Sequence, residues 1–363
     1  MPPERDVLVV SVHPPGRLPS LRFRFEQYVP FLREHGFRTS FSPVMRPDEY
    51  DAFYRGSHYA RKAFMTGRGM LSRLGDMRRA SDYDVVVVQR EAIQLGTAMI
   101  ERGFRRSAAR LLFDFDDAIW LRDVSEANRR VAWLKRPAKT SKIIAMSDMV
   151  FAGNEYLRGY ALAFNPNVKL VPTTIDTAYH RRRTTRGDSS RLCVGWTGST
   201  TTIRHFGLVV PALRRLRARF GERVHFKVIG DSRYENEALG VRGRDWDPHT
   251  EIEELSEIDI GLMPLPDDEW SKGKCGLKAL QFMALETPTV MSPVGVNTRI
   301  VEDGRNGFLA ASEDEWFDTL SRLVESPDLR ERVGKAARET VVRRYSVESQ
   351  KWRYLEYLHE LLA

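Results

Sequence analysis

Gly273-Lys274-Cys275-Gly276 runs into a helix expected to begin near Leu277, and this junction carries the most chemistry in the chain. A helix start exposes free backbone N–H groups and the positive end of the dipole, so it suits phosphate. Lys278 falls in the first turn and Gln281 three residues on, on the same face, which directs one cation and one amide at a common ligand. An ordinary glycine-started helix with solvated lysines has the same local spacing. A second junction is Val194-Gly195-Trp196-Thr197-Gly198-Ser199-Thr200-Thr201, followed by Arg204 and His205. Gly198 permits close backbone approach, and the hydroxyls and N–H groups that follow suit phosphate oxygens. Arg204 adds a charge-assisted contact. The bland reading is a strand–helix turn capped by Ser or Thr. The string GxxxxGK[ST] is absent, so nucleotide hydrolysis of the Walker type has no support. A third strand end is Val228-Ile229-Gly230-Asp231. Beyond Pro264, the acids Asp267, Asp268 and Glu269 form a loop that faces solvent, sugar hydroxyls or a neighbouring lysine.

In the N-terminal half, His13-Pro14-Pro15-Gly16 follows the first strand, and Arg22 and Arg24 open the next predicted helix. Two arginines at a helix N-terminus oppose its dipole, so a donor phosphate, an anionic acceptor or a nearby acid is expected to compensate. Asp114-Phe115-Asp116-Asp117 ends a strand and sets carboxylates at the same sheet edge. Such acids can deprotonate a hydroxyl, pair with arginines, or hold a divalent cation; the metal role ranks last. The stretch from Arg61 to Arg79 has six basic residues (Arg61, Lys62, Arg68, Arg73, Arg78, Arg79) against Asp76, with Phe64, Met70, Leu71, Leu74 and Met77 as a partial apolar face. A helix packed on the sheet explains it somewhat better than a membrane-surface helix. Gly67, Gly69 and Gly75 argue against great length.

The elements that position these residues alternate. Asp6–Val12, Tyr83–Gln89, Leu111–Phe115, Met149–Ala152 and Val168–Pro172 read as buried strands, with Leu21–His35 as a helix among them. A second set follows: strands Leu192–Thr197, Val224–Ile229, Ile258–Met263 and Pro288–Met291, with helices Phe206–Phe220 and Gly276–Glu286. Continuous β-branched runs between helices indicate parallel sheets covered on both faces. The expected fold is α/β, two Rossmann-like doubly wound domains facing across a cleft, residues 1–175 and 191–345, joined by the polar linker Asp176–Ser190 with Arg181–Arg183. The last helix, Ser346–Leu362, is capped by Ser346 and striped by Trp352, Leu355, Leu358 and Leu362; it is expected to cross back to the first domain, so that 346–363 joins it. Ligands bind at the carboxyl ends of such strands.

The chain has 363 residues, 42% hydrophobic and 29% charged. At roughly 100–200 residues per domain this suggests two cores. Cys193 and Cys275 exclude a disulfide framework and a four-cysteine zinc site. The eight histidines show no HxxxH or HxH spacing. No apolar run approaches the ~20 residues of a membrane span, and no signal peptide is visible, so a cytoplasmic location is expected. Residues 1–140 hold 25 Lys+Arg and 17 Asp+Glu, which is the whole net charge of +8. That asymmetry predicts an anionic partner for the N-terminal part. No nucleic-acid-binding module is present, nor a GxSxG or kinase signature.

The stretch 270–309 resembles the donor-binding region of the family 4 glycosyltransferases of GT-B fold. Gly276-Leu277, Met283-Ala284, Thr287-Pro288-Thr289-Val290 and Val301-Glu302-Asp303-Gly304 with Gly307-Phe308-Leu309 match its motifs. The family's two glutamates fall on Gly273 and Gln281; a branch with Lys-Cys-Gly-x-Lys in this region is familiar. The resemblance implies transfer of a sugar from a nucleotide diphosphate sugar to an acceptor hydroxyl, with retention and without metal or other cofactor. It implies catalytic roles for Lys278, Arg204 and Asp116, and donor contacts from Gly198, Ser199, Thr200, Gly230, Lys274, Cys275, Gly276, Leu277 and Gln281. Gly230 would lie by the base, and Gln281 would hold a ribose hydroxyl. The acceptor or phosphate side would comprise His13, Gly16, Arg22, Arg24 and Asp117. The acceptor is anionic or lipid-linked on this reading, with peripheral contact between the basic N-terminal domain and the inner membrane face. The lost acidic pair keeps two alternatives open: a non-catalytic nucleotide-sugar-binding scaffold, and a sugar-nucleotide epimerase.

Overall fold

The computed structural model of the protein describes residues 4–49, 59–121, 138–182 and 191–363. The chain divides into two compact units, Met1–Thr173 with Lys351–Ala363, and Thr174–Gln350. The expected linker lies only partly within the described residues, which end at Arg182 on its N-terminal side.

The first unit is a parallel sheet of six strands: β1 (Arg5–Ser11), β2 (Phe37–Pro43), β3 (Val85–Gln89), β4 (Arg110–Phe115), β5 (Met149–Ala152) and β6 (Val168–Leu170), in the order β2-β1-β3-β4-β5-β6. Val7–Val10 lie opposite Val85–Val88 in register. Every residue of β3 is buried, as expected when helices cover both faces. The order reverses between β1 and β3, so the loops after these two strands open the crevice where a doubly wound sheet takes ligands. β2 escapes the sequence reading because its alternation of Phe37, Phe41 and polar residues is that of an edge strand.

Several helix expectations are corrected. The span Leu21–His35 is a helix from Pro19 to Arg24, a 3-10 turn at Glu26–Tyr28 and a second helix, Val29–Glu34. Pro19 and Pro30 each sit at a first turn, where a missing N–H costs nothing. Arg22 and Arg24 therefore occupy a last turn, where cations agree with the dipole. The glycines near residue 70 do not shorten their helix, which runs from Tyr59 to Arg79. Gly69 is where Val44 packs, since a Cβ there would lie 2.4 Å from a Val44 methyl. Arg73 is fully buried and donates to Asp76 at 2.6 Å, to Ser42 and to the carbonyls of Ser11 and Ala92. Phe64 and Leu71 stay about 70% exposed on the opposite face. The side chains of Arg61 and Lys62 lie outside the described residues.

The second unit holds a parallel sheet of five strands: β7 (Leu192–Thr197), β8 (Val224–Ile229), β11 (Ile260–Met263), β12 (Thr289–Met291) and β13 (Phe308–Leu309), ordered β13-β12-β11-β7-β8. A two-stranded ribbon, β9 (Glu235–Asn236) with β10 (Val241–Arg242), follows β8. The order reverses between β7 and β11, so the loops after Thr197 and Met263 line this unit's crevice. Its core joins Val194, Trp196, Phe206, Leu213, Leu216, Ile260, Leu262 and Leu320.

The C-terminal helix, Val347–Leu362, packs its Tyr354 on the first unit, stacked at 4.4 Å on Tyr28 and edge-on to Phe25 and Phe151. Its buried stripe is Tyr354, Leu355, Leu358 and Leu361, one step from the expected one, and Trp352 is 60% exposed.

Candidate active site

In the second unit the loops that follow β7 and β8 nest together at the carboxyl edge of the sheet. The Gly198 N–H donates to the Ile229 carbonyl at 2.9 Å. Gly230, at φ +116°, closes over this contact; a Cβ there would stand 2.1 Å from the Gly198 carbonyl oxygen. Only glycine fits both the angle and the space. A Cβ on Gly198 would strike the Trp196 indole at 2.2 Å and approach the Lys278 ammonium at 2.8 Å. The hydroxyl run then folds on itself: Ser199 N–H donates to Thr202 Oγ1 at 3.0 Å, and Ser199 Oγ lies 3.0 Å from Thr201 Oγ1. Ser199 and Thr200 are exposed.

The helix Leu277–Ala284 starts from Gly276, at φ +75°, whose missing Cβ leaves room for Ile300. Lys278 reaches from its first turn to Thr202 Oγ1 at 3.3 Å and lies 4.3 Å over the Trp196 ring. The structure therefore brings Lys278 to the Gly198–Thr202 loop. Thr202, beyond the quoted motif, is a contact the sequence reading missed; its only signal is its place in the hydroxyl run. Lys274 sits 4.9 Å over Trp270, and buried Cys275 donates to the Gly273 carbonyl. Leu277 is half-buried and Arg204 is exposed. His205, beside Arg204, is buried, and neither ring nitrogen has a hydrogen-bond partner among the described residues. Burial, followed by the charges of Lys278, Arg204 and Lys274, pushes its pKa down to about 4.

Gln281 does not join Lys278 at a ligand. It is buried, and its amide donates to Glu251 Oε1 at 3.0 Å, an oxygen that also accepts from the Trp246 indole at 3.0 Å. The helix turns residue 281 inward, where Glu251 at the head of Glu251–Ser256 offers a stronger acceptor than solvent. In the acidic loop, Asp268 caps the short helix Glu269–Lys272, and Glu269 pairs with Lys272 at 2.8 Å.

In the first unit the acids are tied to arginines. Arg24 is 1% exposed and forms a bidentate pair with Asp114 at 2.5 to 3.0 Å, with a further bond to the Val171 carbonyl. This corrects its expected role: Arg24 faces inward to a carboxylate of β4, not outward to a phosphate. Burial raises the Asp114 pKa against the opposing pull of Arg24. Arg22 is half-buried, 5.0 Å from the Phe23 ring. Arg90, unnoticed in sequence, follows β3 in the left-handed region at φ +62°. It donates to Asp116 at 2.7 to 2.8 Å and also to Asp117. A non-glycine residue held at such an angle marks a site its surroundings over-determine. The Asp116 pKa is lowered although burial opposes this, because Arg90, Arg24 and the Ser20 hydroxyl favour its charge. His13 is buried, and burial followed by Arg90 brings its pKa down to about 4. The Gly16 N–H, expected to face an acceptor, donates to both carboxylate oxygens of Glu26 at 3.0 Å. Glu26 carried no sequence signal; burial raises its pKa, opposed by Gly16 and Arg22.

The second unit thus gathers a helix start, cations and hydroxyls, which suits anionic oxygens. The first gathers carboxylates paired with arginines. Residues 191–326 match the family described as glycosyl transferases group 1. A curated relative, the D-inositol 3-phosphate glycosyltransferase of Nocardioides sp., is 41% identical over 66 residues, 18% of this chain and 14% of that protein. The match thus spans about a seventh of the relative's length. Among solved structures, sucrose-phosphate synthase from Thermosynechococcus elongatus superposes with a TM-score of 0.67 at 13% identity, covering 99% of each chain. Anabaena HepE in complex with UDP-glucose gives 0.66 at 14% identity, covering 98% of this chain and all of that one. These likenesses show the fold, the two-domain GT-B architecture.

Proposed function

From a chain of GT-B fold whose residues 191–326 match the group 1 glycosyl transferases, we propose a glycosyltransferase that moves a sugar from a nucleotide diphosphate sugar to an acceptor hydroxyl. The carrying observation is the approach of Lys278, in the first turn of its helix, to the Gly198–Thr202 loop. One cation, a helix start and a run of hydroxyls converge there. A departing diphosphate gains charge on its oxygens as the glycosidic bond lengthens. Fixed cations and N–H groups aimed at that charge lower the barrier without reorganising. In this reading Lys278 and Arg204 stabilise the leaving phosphates. Gly198, Gly230 and Gly276 let backbone approach them, and Ser199 and Thr200 supply hydroxyls. The fate of the anomeric centre is retention, with the leaving phosphate assisting the acceptor in place of an enzyme nucleophile, and no metal takes part. UDP-glucose bound to the similarly folded HepE supports a nucleotide-sugar donor. Asp116 and Asp117, both paired with Arg90, are the acids for the acceptor hydroxyl. Exposed Phe64 and Leu71, in a basic unit, support contact with an anionic membrane face.

A second reading rests on Gly273 and on Gln281 being turned to Glu251: a scaffold that binds nucleotide sugar without turnover. Incubation with UDP-, GDP- and TDP-sugars and a panel of hydroxyl acceptors separates the two. Release of nucleoside diphosphate with a glycosylated product is expected. Binding without release under every combination would favour the scaffold, and a new sugar nucleotide formed without acceptor would indicate an epimerase.

A further inference from the structure

A cavity of about 170 Å³ opens in the first unit between the loop after β3 and the helix Ala138–Met146. Among the described residues its walls are Gly96, Thr97, Ala98, Arg102, Ala138, Lys139 and Lys142. Three of the seven are cations and none is an acid. Lys139 is buried and its charge is already met: it lies 3.3 Å from Glu91 and 3.2 Å from Glu101, and donates to the Ile93 carbonyl at 2.6 Å. Glu101 is itself fully buried and also accepts from the Ala92 N–H. Lys139 is therefore a fixed wall. Arg102 and Lys142 are different: both are exposed, and neither has an ion pair among the described residues. They face a common hollow with the Thr97 hydroxyl. Two like charges held beside one cavity repel each other unless an anion lies between them.

The position is as telling as the charge. Glu91, which holds Lys139, directly follows Arg90, and Arg90 holds Asp116 and Asp117. The cavity thus belongs to the same sheet edge as the acids assigned to the acceptor. We propose that Arg102, Lys142 and Thr97 form a site for the phosphate monoester of a small phosphorylated polyol, which on the transferase reading above is the acceptor. Arg102 supplies a forked pair of donors and Lys142 a point charge. Thr97 Oγ1 takes a bond from the Met99 N–H at 3.3 Å and can still donate its own proton to the ligand. The bound phosphate would leave the polyol hydroxyls to reach along the edge toward Asp116 and Asp117. A phospholipid headgroup offers the same phosphate chemistry.

Binding of inorganic phosphate, glycerol 3-phosphate and glycerol to the full chain is measured calorimetrically. UDP is titrated in parallel, as are vesicles of equal parts phosphatidylcholine and phosphatidylglycerol. The chains compared are the wild type, Arg102→Gln, Lys142→Gln, the double variant and Lys278→Ala. Both phosphates should bind and glycerol should not. Each glutamine substitution should weaken phosphate binding by about tenfold, the scale of one hydrogen bond to a charged group, with UDP affinity unchanged. Vesicle binding lost in the double variant, with soluble phosphates silent, would support the same site with a lipid source. Phosphate binding that survives the double variant, or that is lost only in Lys278→Ala, overturns the proposal. So does a wild type that binds neither phosphates nor vesicles. If UDP fails to bind while phosphate binding tracks Arg102 and Lys142, the pocket stands and the transferase reading falls.

Discussion

Lys278 and Arg24 are both cations near a sheet edge, yet they call for opposite tests. Lys278 meets the Thr202 hydroxyl and the face of Trp196 beside the loop that follows β7. Removing it should lower turnover by roughly ten- to a thousandfold, the scale of losing one donor to a developing anion. The check is the rate of nucleoside diphosphate release from Lys278→Ala at saturating nucleotide sugar; an unchanged rate would strip the residue of this role. Arg24 is spent on Asp114 inside the unit. Arg24→Ala leaves a buried carboxylate alone and should cost about 3–5 kcal/mol of stability, read from urea unfolding. The double variant Arg24→Leu with Asp114→Leu should recover most of that loss, because a buried pair can be replaced by apolar packing. A ligand-binding Arg24 would instead show weakened binding at unchanged stability.

At the scale of elements, the helix start at Gly276 is the sharpest case. Its φ of +75° and the 2.3 Å that would separate an added Cβ from the Ile300 side chain leave no room for alanine. Gly276→Ala should cost about 1–3 kcal/mol of backbone strain and displace the first turn that carries Lys278. Thermal unfolding and UDP affinity should fall together; a loss of stability with intact affinity would detach the helix start from the phosphate role. This start was legible in sequence because glycine, lysine and helix periodicity lie within a few residues of each other. The valine runs of β1 and β3 were legible for the same reason: strands buried on both faces have no polar alternation. What stayed hidden was set by partners far along the chain. Arg24 meets Asp114 ninety residues away, Gln281 meets Glu251 thirty away, and Tyr354 meets Tyr28 from the other end of the sequence. Local spacing put each of these side chains on a face but could not say what covers that face. Sequence also missed Arg90, because a strained angle after a strand has no residue signature when the residue is not glycine.

At the scale of the whole molecule, His13 in the first unit and His205 in the second are both buried near the carboxyl edge of their own sheets. Burial followed by Arg90 brings His13 to about 4, and burial followed by Lys278, Arg204 and Lys274 brings His205 to about 4. An unfolded chain would titrate both near their ordinary value, about 6.5. Above that value neither state binds the proton, and the two histidines do not alter stability with pH. Between about 6.5 and 4 the unfolded chain takes up protons that the folded chain refuses, so stability falls as the pH falls. Each imidazole accounts for at most about 3 kcal/mol of that loss. Urea midpoints measured from pH 7.5 to 4.5 should therefore decline, and His205→Gln and His13→Gln should each flatten the slope. The carboxylates work in a different window: the lowered Asp116 pKa contributes stability that is lost only as the pH drops through its depressed value, below the ordinary range for aspartate. A decline between pH 6.5 and 4.5 that both glutamine variants retain would assign the acid sensitivity to other groups. A decline abolished by one of them would place it in the unit that carries that histidine. An anion bound beside Lys278 offsets the charges that depress His205 and raises its folded pKa toward the ordinary value, so saturating UDP should shrink its share of the decline and leave the His13 share in place.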